Sequence, residues 1–75
     1  MNHEEFRDIK GPKRQHLIEE RKKAGLKQSQ LAEMIGCSTA MISHLENGRM
    51  KPSLEVSLSL ERLFGQPSEV LFPDL

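Results

Sequence analysis

Residues 28–47 read QSQLAEMIGCSTAMISHLEN, and their apolar positions follow helical spacing twice with a break between. Leu31 and Ile35 stand four apart, Ile42 and Leu45 three apart, so each pair lies on one face of a short helix. Gly36 supplies the left-handed backbone that a sharp turn requires, at little steric cost. Ser38 is a suitable N-cap, its hydroxyl able to accept a hydrogen bond from the first turn of the second helix. Ala32 sits where two such helices must approach closely, and Cys37 fills an apolar slot in the turn. The stretch therefore predicts two helices of about eight residues joined by a turn of three or four.

The flanking sequence extends the same pattern. Gly11-Pro12 opens a helix that runs to about Ala24 and stops at Gly25, since proline is pre-shaped for a first helical position. A fourth helix runs from Pro52-Ser53 to Phe64 and closes at Gly65. A last turn, capped by Ser68 and carrying Val70, Leu71 and Phe72, ends before Pro73. Sustained alternation is absent and Asn47-Gly48 follows a helical run, so no strand is predicted. The fold class is all-α: a bundle of about five short helices in a single domain over residues 11–75. Residues 1–10 form either a loose arm or a short extension whose Phe6 and Ile9 dock on the body of the domain.

At 75 residues there is room for one small core. A single cysteine, Cys37, forms no internal disulfide, and a buried thiol outweighs a redox switch as its reading. MNHEEFRD lacks the features of a secretory leader, and no apolar run is long enough to span a bilayer, so a cytoplasmic location is expected. Eleven basic and eleven acidic residues cancel, but unevenly along the chain. From Lys10 to Lys27, Lys10, Lys13, Arg14, Arg21, Lys22, Lys23 and Lys27 face only Glu19 and Glu20. From Pro52 onward Arg62 stands against Glu55, Glu61, Glu69 and Asp74. One side can meet an anionic partner while the other faces solvent or protein. His3, His16 and His44 have no metal-ligand spacing and no nucleophile set is discernible, so no enzyme, metal, cofactor or small-molecule ligand is expected.

Arg21 falls on the apolar face of Leu17 and Ala24, and Glu46 on that of Ile42. Two opposite charges on buried faces are best explained by each other, because an unpaired buried charge costs several kcal/mol. These residues also carry a resemblance. With Arg21, Gly25-Leu26, Gln28, Leu31-Ala32, Gly36, Ser38, Ile42-Ser43, Glu46-Asn47-Gly48, Pro52-Ser53-Leu54 and Glu69-Val70-Leu71-Phe72 in this order, the chain resembles the Cro and lambda-repressor-like, or XRE, helix-turn-helix domains from Leu17 to about Phe72. The resemblance implies the same Arg21–Glu46 pairing. Ser57 and Glu61 depart from it, standing where the family holds small apolar residues.

What the resemblance implies is a cytoplasmic transcriptional regulator, a repressor, that reads double-stranded DNA in the major groove with helix 39–47. With Ile42 and Leu45 inward, the base-reading candidates are Ser38, Thr39, Ala40, Ser43 and His44: hydroxyls for either edge, a methyl for thymine, an imidazole donor for guanine. Phosphate candidates are Lys27, Gln28 at a helix N-terminus, Asn47, Arg49 and Lys51. Lys10, Lys13 and Arg14 belong either to an arm along the duplex or to a solvated helix start. One module buries little DNA, so a homodimer on a palindromic operator is expected. Phe64, Leu71 and Phe72 either line its two-fold interface or close the core. The competing function is an antitoxin, or another module that binds a toxin or other protein through the same domain.

Overall fold

The computed structural model describes residues 12–75, and over them the chain forms α1 Gln15–Lys23, α2 Gln28–Ile35, α3 Thr39–Glu46, α4 Leu54–Phe64 and α5 Ser68–Leu71. No strand occurs among the described residues. The expected arm over residues 1–10, with Phe6, Ile9 and Lys10, lies outside them.

Local chemistry sets most of the boundaries. Ser38 Oγ accepts the Met41 N–H at 3.1 Å and Ser53 Oγ accepts the Val56 N–H at 3.2 Å, so α3 and α4 start where a serine satisfies a free donor. Each cap is worth about 1 kcal/mol over alanine. Gly36 ends α2 at φ +76°, and the position of an added Cβ there meets nothing within 4 Å. Backbone conformation, not space, selects glycine at that turn.

Two boundaries differ from expectation. The first helix begins at Gln15, not Pro12, because the Arg14 N–H donates to the Glu46 carbonyl at 2.8 Å and holds the chain against the end of α3. The last helix is preceded by Pro67 as its N-cap, and Ser68 is its first residue. Ser68 is engaged sideways: its N–H donates to Glu61 Oε2 at 2.8 Å, its hydroxyl also reaches that carboxylate, and its Oγ lies 2.7 Å from Ser57 Oγ. Ser57 and Glu61, the two departures from the family pattern, thus make a polar joint between α4 and α5. The Ser68 hydroxyl and N–H hold the Glu61 carboxyl below its usual range.

Every helix contributes to one core: Leu17 from α1, Leu31 and Ala32 from α2, Ile42 and Leu45 from α3, Leu60 from α4, Leu71 from α5, with Phe72 just beyond it. Leu26, Ile35, Cys37, Met41, Val56 and Phe64 pack around it, partly buried. Burial of each large apolar side chain is worth about 1.5–3 kcal/mol, and no helix here buries its own stripe without the others. Leu71 and Phe72 are 0% and 2% exposed. Of the two roles the sequence left open for them, they close the core; a side chain without surface cannot line an interface. Phe64 packs on the same core while remaining half-buried.

Candidate nucleic-acid interface

Helices α2 and α3 pack directly on each other across the Gly36–Ser38 turn. Ile42 and Leu45 are fully buried, which turns the opposite side of α3 outward. Thr39 and Ala40 are exposed there, Ser43 and His44 half-buried, and Ser38 exposed at the N-terminus with one lone pair committed to the Met41 N–H. His44 Nδ1 is buried without a hydrogen-bond partner.

The far end of α3 is tied down by three side chains. Arg21 Nε donates to Glu46 Oε2 at 2.6 Å and Nη2 to Glu46 Oε1 at 3.2 Å, while Nη1 donates to the Leu26 carbonyl at 2.9 Å. Gln28 Nε2 adds a third bond to the same carboxylate, at 2.9 Å from Oε1. Glu46, a carboxylate with only 3% of its side chain exposed, is thereby surrounded by donors from α1 and from the first residue of α2. Planar guanidinium against carboxylate fixes orientation as well as separation.

Arg14 is the third tie, and sequence reasoning missed it. Neither an arm nor a solvated helix start describes it: the residue is 3% exposed. Nη1 donates to the Leu45 carbonyl at 2.8 Å and to the Met50 carbonyl at 2.7 Å; Nε and Nη2 each donate to the Asp74 carboxylate at 3.0 Å. Its guanidinium carbon also lies 5.1 Å from the Phe72 ring centroid, within cation–π range. The signal was present, since Arg14, Leu17 and Arg21 share one helical face by spacing. The partner, sixty residues away, left no local trace. Arg14 beside Asp74 holds that carboxyl below its usual range.

The phosphate candidates divide by how free they are. Lys27, Arg49 and Lys51 are exposed and form no ion pair among the described residues. Asn47 Nδ2 folds back on α3, donating to the Ser43 carbonyl at 2.9 Å and reaching Ser43 Oγ at 3.4 Å. Gln28 is half-buried and bonded to Glu46, so its amide orients α2 in addition to standing at that helix's N-terminus. The Lys27 N–H is itself satisfied by Gln30 Oε1 at 2.8 Å. Cys37 packs against the core, and burial pushes its thiol pKa up, away from the reactive thiolate. Among the described residues there is no cluster of His, Cys, Asp or Glu able to hold a metal, and no helix long and apolar enough to cross a membrane.

A short brace helix, a glycine turn and a second helix with one face free make up a helix-turn-helix. The family described as Helix-turn-helix matches residues 17–71, and the chain belongs to it, as a DNA-binding regulator of the Cro/C1, or XRE, type. No curated protein and no solved structure matches the chain.

Proposed function

We propose that this protein is a sequence-specific transcriptional repressor that binds a palindromic operator as a homodimer and reads bases with the exposed face of α3. The observation that carries this reading is the contrast on one helix: Thr39 and Ala40 are exposed at its start while Glu46 is locked at its end. A helix held rigidly by its rear, with small polar and methyl-bearing side chains outward, suits insertion into the major groove. Ser38, Thr39, Ala40 and Ser43 offer donors, acceptors and a methyl surface. His44, half-buried on the same helix, offers a ring N–H to a purine acceptor. Lys27, Arg49 and Lys51 supply free cations for phosphates, with Asn47 and the N-terminus of α2 at Gln28 beside them.

Selection of bound duplexes from a random DNA pool, followed by salt titration on the winners, tests this. The expected result is a palindrome with half-sites about one helical turn apart and affinity that falls steeply with salt. Folded protein that enriches no sequence overturns the reading and directs attention to a protein partner.

A further inference from the structure

The removal of Leu71 and Phe72 from the surface leaves open which face would join two copies, and α4 carries a pattern that answers this. Leu54 and Leu58 are 75% and 40% exposed, one turn apart, on the side of α4 turned away from buried Leu60. Glu55 and Arg62, both exposed, bracket Leu58 on the same face. They are seven residues apart, about 10 Å along the axis, too far to pair within one helix. Neither forms an ion pair among the described residues. Beside Arg62 a groove of about 310 Å³, lined by Met34, Ile35, Ser59 and Leu63 as well, continues the apolar surface toward α2.

We infer that this face binds a second copy of the same chain through an antiparallel α4–α4 pairing centred on Leu58. A two-fold axis near Leu58 stacks that side chain on the partner's Leu58. The same operation sets Glu55 opposite the partner's Arg62, and Arg62 opposite the partner's Glu55. An acid at one end of the stripe, a base at the other and leucine between them is self-complementary in this arrangement and in no parallel one. The face is thus matched in charge as well as in apolar character to a copy of itself. This inference supplies the pair that the operator reading requires, but it is measured without DNA.

The test is the dimer dissociation constant by sedimentation equilibrium of the full chain, for wild type, Glu55→Arg, Arg62→Glu, the double variant and an equimolar mixture of the two single variants. The three positions in question, Glu55, Leu58 and Arg62, are on the surface, so each variant chain folds as the wild type does. Each single charge reversal weakens the dimer by at least about tenfold, by setting like charges opposite each other. The double variant restores it, and the mixture forms heterodimers as tight as the wild-type dimer. Leu58→Arg abolishes association. A wild-type chain that stays monomeric overturns the inference, leaving residues 1–11 or another protein as the occupant of the face, as does a dimer indifferent to all of these variants. A monomer that still selects a DNA sequence overturns only the interface; a dimer with these responses that selects none overturns only the operator reading.

Discussion

The two ends of α3 are built on opposite principles. At its start, Thr39 and Ala40 are exposed and Ser38 is committed only to the helix's own first turn. At its end, the Leu45 carbonyl, the Glu46 carboxylate and the Glu46 carbonyl are held by Arg14, Arg21 and Gln28, and the Met50 carbonyl beyond it by Arg14 again. The lesson is a division of labour along eight residues. Rigidity comes from buried groups that bond across helices at one end, and the groups exposed at the other end bond to little but their own helix.

That contrast is open to breakage, and the largest effect should fall at the held end. Glu46→Ala strands Arg21 and Gln28 together and should cost about 3–5 kcal/mol, a fall in melting temperature of more than about 12 °C for a domain of this size. A loss under about 1 kcal/mol in denaturant titration would show that α3 does not depend on this carboxylate. Arg14→Met keeps the stem but removes the bonds to Leu45, Met50 and Asp74. It should cost about 3 kcal/mol, at the lower end because its Asp74 partner remains 28% exposed.

A smaller effect belongs to pH. The Asp74 carboxyl is held below its usual range by Arg14, so the unfolded chain takes up the proton more readily than the folded one. The stabilisation is complete above the unfolded value near 3.8 and is lost as pH falls through the lower folded value. Wild type should therefore lose more melting temperature than Asp74→Asn between about pH 5 and about pH 3. Equal losses would place the acid sensitivity elsewhere, with Glu61 the other carboxyl shifted in the same direction.

The smallest stability effects are expected at the free end, where they sharpen the contrast. Thr39→Ala should change folding stability by less than about 0.5 kcal/mol yet relax base preference at one operator position. Arg49, beyond the other end of α3 but exposed and in no ion pair among the described residues, should as alanine be equally silent in melting, weaken all DNA sequences alike and reduce the salt slope by about 1. A variant at Thr39 that weakened every sequence equally would assign it to the phosphates instead.

Residues 28–47 made the central unit legible because its determinants are local: helical spacing at Leu31, Ile35, Ile42 and Leu45, a glycine at the turn and a serine cap three residues before the N–H it receives. Arg21 and Glu46 were legible for a different reason, each being a charge on an apolar stripe that demanded a partner. The same rule applied to Arg14 and was outweighed by its place in a basic run near the chain's start. At α5 the sequence suggested Ser68 as a cap, whereas Ser68 satisfies a carboxylate on α4. The family's apolar packing at Ser57 and Glu61 is replaced there by hydrogen bonds that only proximity in space creates.

By itself, then, the sequence determined the helices, their order, the turn between α2 and α3 and the family, since these follow from backbone preference and periodicity within a few residues. The tertiary structure alone decided that Asp74 latches onto Arg14, that Gln28 joins the Glu46 cluster, and that Leu71 and Phe72 face inward while Leu54 and Leu58 face out. Each of those outcomes depends on which surfaces are left after five helices have packed. Spacing along a chain specifies a face of a helix, but what that face meets is set by elements far away in sequence.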